Sequence, residues 1–280
     1  MSTSKTERGT LYLCATPIGN LGDITLRALE TLRDCDLVAA EDTRRTRRLL
    51  SHYDIHKPMM SYREENRDSA GAKIIARLED GASVALVSDA GTPGVSDPGH
   101  DLVVRCLEHG LAVEALPGAN AALTALVLSG LPTRRFSFEG FLPRKKGARR
   151  RALQDLAADT RTLVFHESPQ RVVETLADVE DVMGDRTVAV ARELTKKFEE
   201  VIRGTASEVR SRLASKPVRG EVVLVVEGAS DLAGPSIEEA LEEVRQLREL
   251  GASLKDAVNQ VAGRSPGLSR SSLYNAALKK

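Results

Sequence analysis

Three turns in the first half of the chain carry the residue types that cradle a small ligand. They are Thr16–Asn20 (TPIGN), Ser88–Gly99 (SDAGTPGVSDPG) and Pro117–Ala121 (PGANA). Each follows a short apolar run. Glycine lets backbone N–H and C=O groups approach a ligand closely. Asp89 or Asp97, with backbone amides, can partner a ligand that bears both an ammonium and a carboxylate. A lone Gly/Pro turn is ordinary punctuation. Three after successive strands, one of them long, point to a site on the carboxyl edge of a parallel sheet. None matches G-x-G-x-x-G or G-x-x-x-x-G-K-[ST], which disfavours a dinucleotide enzyme and a P-loop NTPase. Ser88, Ser96 and Ser168 lack the G-x-S-x-G frame of a hydrolase. His52 and His56 are spaced for a metal but have no evident third ligand, so no metal is expected.

A second set of residues suits phosphate. Arg144, Lys145, Lys146, Arg149, Arg150 and Arg151 fall within eight positions that contain no acid. Arg44, Arg45, Arg47 and Arg48 form a shorter run, and Arg134 and Arg135 sit in an expected linker. A solvated helix face interleaves acids at i,i+4. The absence of acids here favours contact with RNA phosphates, each adding about one unit to the log–log salt slope. The chain has no Trp, five Phe and four Tyr, too few for an open single-strand binder built on stacking. That composition suits a protein that reads the shape of a folded RNA and admits one nucleotide.

The elements that position these residues alternate as in an α/β fold. Strands are expected at 11–16, 37–40, 59–62, 83–87 and 113–116. Helices are expected between them, one capped by Asp23 and the next by Thr43. Asn120 opens another helix. Asp97, ahead of Pro98, reads as a helix cap, and Asp89 as the better ligand contact. After the linker 130–133, strands are expected at 136–139, 161–166, 187–192, 199–203 and 221–226, with helices at 147–157, 169–179 and 206–214. The adjacent strands 187–192 and 199–203 read as a hairpin, which makes the second sheet mixed. From Gly234 only helical patterns remain. Helices at 253–261 and 269–279 flank Ser265-Pro266-Gly267, a helix–turn–helix-like unit. The domains are therefore 1–130, 131–230 and 231–280.

The 280 residues carry 40 basic and 40 acidic side chains, so any nucleic-acid site must be a local patch. Cys14, Cys35 and Cys106 are odd in number and widely spaced, which fits buried free thiols in a reducing, cytoplasmic compartment. The polar Met1–Gly9 stretch does not read as a signal peptide, and no apolar run suits a membrane helix.

Longer runs carry a resemblance. Leu13–Thr25 (LCATPIGNLGDIT), Ala40–Arg44 (AEDTR), Val87–Gly99 (VSDAGTPGVSDPG) and Leu116–Asn120 (LPGAN) closely resemble the ribosomal RNA small-subunit methyltransferase I family, of the tetrapyrrole-methylase class. Glu139–Pro143 (EGFLP), His166–Arg171 (HESPQR), Ala191–Lys197 (ARELTKK) and Gly220–Gly228 (GEVVLVVEG) resemble it too. The resemblance implies two α/β domains with S-adenosylmethionine in the cleft between them, and a homodimer. It implies methyl transfer to the ribose 2′-hydroxyl of a cytidine in the decoding region of small-subunit ribosomal RNA; the assembled subunit is the expected partner, with free RNA left open as the substrate. It places Pro17, Gly19, Asp89, Gly91, Thr92, Pro93, Gly118, Asn120 and Ala121 at the cofactor. Some relatives carry Thr and His where this chain has Ser168-Pro169-Gln170, so no role passes to Gln170, while Arg171 keeps its place. Arg44 and Arg171 are read as phosphate clamps. A base near the hydroxyl would assist, and Glu41, Asp42, Glu167, Glu193, Lys196 and Lys197 are the candidates. Two other readings stay open: a corrin or porphyrin methyltransferase of the same fold, and a non-catalytic ribosome-assembly protein that binds RNA.

Overall fold

The computed structural model describes residues 9–215, 217–229, 237–264 and 270–278. The first sheet contains β1 (Thr10–Cys14), β2 (Leu37–Ala40), β3 (Met59–Ser61), β4 (Val84–Val87) and β5 (Ala112–Leu116). Its order is β3-β2-β4-β1-β5, and every pairing is parallel. Strands β2 and β4 are buried at every residue. This is why they read as unbroken apolar runs rather than alternating ones.

Helices cover both faces. Helices α1 (Leu26–Asp34) and α2 (Thr43–His52) pack with Cys14, Val38, Ala40 and Val87. Helices α3 (Arg67–Glu79) and α4 (His100–Glu108) pack on the opposite face with Leu11, Leu37, Ala39 and Leu86. The chain therefore leaves β1 over one face and β4 over the other. These two strands are neighbours, so the sheet has its topological switch between them, where ligands of open α/β sheets bind.

Two expected caps move by one or two residues. Thr25, not Asp23, caps α1, its Oγ1 accepting the Ala28 N–H at 3.2 Å. Asp23 instead ends the short turn Leu21–Asp23. Asp42, not Thr43, caps α2, its Oδ1 accepting the Arg44 N–H at 2.8 Å. A cap needs extended backbone, which Thr25 and Asp42 have, whereas Asp23 and Thr43 already lie inside helical turns.

Helix α5 (Ala121–Ser129) lies before the linker but packs beyond it. Ala122, Ala125 and Leu126, with Ile18, meet Val164, Ala189, Ala191, Val223 and Val225. Those residues belong to the second sheet, made of β6 (Phe136–Phe141), β7 (Thr162–Glu167), β8 (Thr187–Arg192), β9 (Glu200–Thr205) and β10 (Val222–Val226). Its order is β6-β7-β10-β8-β9, with only the β6–β7 pair parallel. The expected β8–β9 hairpin is present and the sheet is mixed. Helices α6 (Lys146–Leu156), α7 (Val172–Met183) and α8 (Ala206–Ala214) cover its other face.

Helices α9 (Ile237–Glu249), α10 (Leu254–Arg264) and α11 (Arg270–Leu278) share a separate apolar cluster around Val244, Val258 and Leu273. The expected turn Ser265-Pro266-Gly267, the start of a helical tail at Gly234 and nearly all of the Met1–Gly9 stretch fall outside the described residues. Among the described residues no helix is long and apolar enough to cross a membrane. The three cysteines are free and buried.

Candidate functional site

The three Gly/Pro turns lie on one edge because β1 pairs with both β4 and β5. Cys14 faces Val87 on one side and Leu116 on the other. Beyond the strands, Thr16 and Gly91 exchange backbone hydrogen bonds of 2.8 and 3.0 Å. The Thr16 hydroxyl donates to the Ser88 carbonyl at 3.2 Å. Gly91 holds φ at 81°, a left-handed conformation that a side chain would strain. The third turn ends in Asn120, whose Oδ1 accepts the Leu123 N–H at 3.0 Å and caps α5.

A cavity of about 370 Å³ lies between this edge and the second sheet. The first half lines it with Ile18, Glu41, Arg45, Asp89–Thr92, Asp97, Asn120 and Ala121. The second half adds Phe141, His166–Pro169 and Gly220–Val223. That volume is within the range of small-molecule and cofactor sites.

Its charge pattern is unusual. Asp89 is tied down, with Oδ1 accepting the Asp42 N–H at 3.0 Å and Oδ2 lying 3.3 Å from the Arg45 guanidinium. Glu41 has a buried Oε2 with no hydrogen-bond partner. Burial, then the nearby Asp89 charge, raises its pKa above the ordinary glutamate value. Burial and then Glu41 push Asp97 up to about 6, and the Ser88 hydroxyl offsets part of that rise. Asp97 is not the helix cap expected of it. Helix α4 starts at His100 with Gly99 in the cap position, which leaves the Asp97 carboxyl to line the cavity. Two carboxyls of one loop, eight residues apart, were the signal for this role; the adjacent proline hid it behind a plausible cap.

Carboxyls crowded in this way are relieved by a cation. S-adenosylmethionine carries a sulfonium and an ammonium, so the donor set fits it: the half-buried Asp97 among crowded carboxyls, and the backbone of Gly91, Thr92 and Asn120.

The remaining expected contacts divide. Asp89, Gly91, Thr92, Asn120 and Ala121 line the cavity, whereas Pro17, Gly19, Pro93 and Gly118 do not. Gly118 is a packing glycine, since a Cβ there would come within 2.8 Å of the Ala15 Cβ. Gly19 makes room for the stem of Lys196, whose Cγ would lie 2.5 Å from an added Cβ. Next to it, the Asn20 N–H donates to the Thr195 hydroxyl at 3.1 Å, joining the first-strand turn to the second domain.

Three of the four principal acid–base candidates are committed elsewhere. Asp42 caps α2, and the Arg44 N–H holds its pKa below the ordinary value. Glu167 is buried and accepts from the Thr175 hydroxyl at 2.6 Å, Arg171 at 3.0 Å and the Ser168 N–H at 2.7 Å. Lys196 lies 2.9 Å from Glu193 and 3.2 Å from Glu221. Burial pulls its pKa down, but those two carboxylates together hold it above the ordinary lysine value, so it stays protonated. Glu41 keeps its oxygen free at the cavity. Glu193 is held by Lys196, and Lys197 is exposed with its ammonium 5.6 Å from the Phe198 ring centre.

The basic run is only partly available to phosphate. Arg149 is 2% exposed, with Nε 2.7 Å from Asp178 and Nη2 3.5 Å from Glu174. Arg150 pairs with Asp178 at 3.0 Å and Asp181 at 2.8 Å. The acids missing from the run come from α7, the helix beside it. Arg144, Lys145, Lys146 and Arg151 remain exposed. Arg171 is also engaged, donating to the Leu142 carbonyl at 2.8 Å as well as to Glu167, and so clamps the backbone after β6. On α2, Arg44, Arg47 and Arg48 are exposed, while Arg45 turns to the cavity.

Comparisons with known proteins agree with this geometry. The family model described as Tetrapyrrole (Corrin/Porphyrin) Methylases matches residues 10–210. A protein of Halalkalibacterium halodurans named ribosomal RNA small subunit methyltransferase I is 46% identical over 96% of this chain and 94% of its own length. Its Bacillus subtilis namesake is 46% identical over 92% of this chain and 90% of its own length. Among solved structures, a cobalt precorrin-4 methyltransferase shares the fold, with a TM-score of 0.59 at 17% identity over 78% of this chain and 94% of that one. The chain belongs to the tetrapyrrole methylase family and, within it, to the ribosomal RNA small subunit methyltransferase I family.

Proposed function

We propose that this protein methylates the ribose 2′-hydroxyl of a cytidine in the decoding region of small-subunit ribosomal RNA, working as a homodimer on the assembled subunit in the cytoplasm. As a member of its family the chain is an S-adenosylmethionine-dependent methyltransferase. The observation that carries the reading is the cleft: a cation-seeking cavity at the sheet switch point, lined by Phe141, three residues before the exposed Arg144, Lys145 and Lys146.

Bound there, S-adenosylmethionine supplies a methyl group activated by its positive sulfur. The chain's own contribution is placement. Holding the hydroxyl oxygen in line with the methyl carbon and sulfur supplies much of the acceleration. The Gly91 and Asn120 turns are rigidified by the Thr16–Gly91 bridge and the α5 cap, so they present fixed backbone groups to the ligand. We assign the proton-accepting role to Glu41, because its raised pKa makes it a stronger base than an ordinary carboxylate. The exposed cations grip the phosphates on either side of the target. Free buried thiols suit a reducing compartment. Exposed apolar side chains on α4 and α5, among them Leu107 and Val127, support a self-association surface.

Nucleoside mass spectrometry of ribosomal RNA from cells lacking the protein tests the proposal. Loss of one 2′-O-methylated cytidine is expected. An unchanged nucleoside profile refutes the reading. Sedimentation of the purified protein checks the dimer, and a monomer at micromolar concentration refutes that part alone.

A further inference from the structure

Strand β6 is an edge strand that breaks its own alternation. Phe138 and Phe141 are three positions apart, so a regular strand would aim them at opposite faces. Both rings instead meet His166, with centres 5.1 and 5.3 Å away and planes at 72° and 87°. The cause is a bulge. Phe138 pairs with Val164 and Gly140 with Phe165, which leaves Glu139 as an extra residue. Gly140 absorbs the bend at φ 64°, and from there Phe141 pairs with His166. Bulges beside functional sites commonly re-aim a side chain.

The side chain re-aimed here is Phe141, which lines the cavity yet remains 59% exposed. Its backbone is held on one side, where Arg171 donates to the carbonyl of Leu142 at 2.8 Å. On the other side, Gly140 lies next to Ser96 of the long loop. The chain has five Phe and no Trp, so an aromatic ring fixed at the rim of the cleft is a scarce resource placed in water. Two residues past Leu142 the exposed run Arg144, Lys145, Lys146 begins.

Resting on the proposed action on RNA, we propose that Phe141 is the stacking platform for the base of the target nucleotide, with Arg144, Lys145 and Lys146 holding the phosphates beside it. A base must leave its stack for its ribose to enter a cleft, and an aromatic face replaces the lost stacking. One ring serves one nucleotide, which accords with so few aromatics in the chain. Any nucleobase offers the same flat π-face, including the adenine of the cofactor. The position of Phe141 at the rim favours the incoming substrate.

The test uses the full-length protein and small subunits purified from cells that lack it. Methyl transfer is measured as KM and kcat, and S-adenosylmethionine affinity by calorimetry. Phe141→Ala and Phe141→Leu are expected to raise KM for the subunit roughly 10- to 100-fold, the range for losing one stacked base. Phe141→Trp should stay within about threefold of wild type, since stacking tolerates any aromatic ring. KM for the subunit should move far more than cofactor affinity in all three. Phe141→Leu preserves apolar volume, so it reports on stacking even if the alanine variant folds poorly. A leucine variant that matches wild type overturns the proposal. Loss of cofactor affinity with KM for the subunit unchanged also overturns it, by assigning the ring to adenine. Wild-type protein that transfers no methyl to RNA refutes the functional reading itself, and this proposal with it.

Discussion

Asp178 and Asp97 are both carboxyls withdrawn from water, and their neighbours treat them in opposite ways. Asp178 is 2% exposed and receives two guanidinium groups, Arg149 at 2.7 Å and Arg150 at 3.0 Å. Asp97 faces two more carboxyls, Glu41 and Asp89, and burial first, then Glu41, raises its pKa to about 6. The first arrangement is complete and has nothing left to bind. The second is incomplete, and a cation completes it. In this molecule, pairing separates a structural charge from a binding one better than burial does.

The strongest way to break the comparison is to remove the buried partner of Asp178. Arg149→Ala should destabilise the fold by about 3 kcal/mol, the lower end for breaking a buried pair, because it leaves Asp178 with the partly exposed Arg150 alone. Chemical denaturation reads this directly. An unchanged midpoint would return Arg149 to the RNA surface. Removing the uncommitted acid instead should leave stability alone and strike turnover. Glu41→Gln is expected to lower kcat about 100-fold, the lower end for a lost general base. A kcat within about threefold of wild type rules Glu41 out as the base.

The exposed part of the basic run gives the next effect. Arg144, Lys145 and Lys146 changed together to Ala should weaken RNA binding and reduce the log–log salt slope by about one per lost phosphate contact. Cofactor affinity should not move. An unaltered slope in a filter-binding titration would show that these cations face solvent only.

Asp97 supplies a pH test. Its folded pKa lies above its unfolded value, so the protonated form is the one that the fold favours. Ionisation therefore costs stability as pH rises toward and through about 6. A cation in the cleft favours the ionised form. Cofactor affinity should thus be full above about pH 7 and fall by up to about tenfold per unit below the pKa. Asp97→Asn should flatten that profile in calorimetry; a profile that keeps its slope would place the titrating group elsewhere. The smallest effect belongs to Arg45, whose pair with Asp89 is open to water, with the arginine side chain 61% exposed. Arg45→Ala should cost less than about 1 kcal/mol of stability, as exposed pairs do. A loss near that of Arg149→Ala would erase the contrast between the two clusters.

Much of the architecture was legible because its signals are local. β-branched and apolar runs such as Val84–Val87 can only be strands buried on both faces, and Gly/Pro turns after them mark the ligand edge. Asn120 both ends a turn and caps a helix, so its place followed from its type. The family motifs were equally local. Other features were not. Thr25 and Asp42 took the caps expected of Asp23 and Thr43, because a cap depends on where the backbone is extended and several neighbours have the right side chain. Gly118 and Gly19 were expected at the cofactor; they lie outside the cavity lining, and Ala15 and Lys196 stand beside them. Phe141 gave no signal, since the bulge that turns it outward is a matter of register between two strands.

By itself, then, the sequence determined the two α/β halves, the three turns on one edge and the family. Those rest on period, turn chemistry and runs of contiguous residues, which act over a few positions. Only the tertiary structure decided which charges are free. Arg149 lies 29 residues from Asp178 along the chain, and Asp97 owes its raised pKa to burial and then to Glu41, which lies in the turn after a different strand. Coulomb forces and desolvation depend on distance in space, and in this fold the helix beside the basic run, not the run itself, sets how many of its cations remain for RNA.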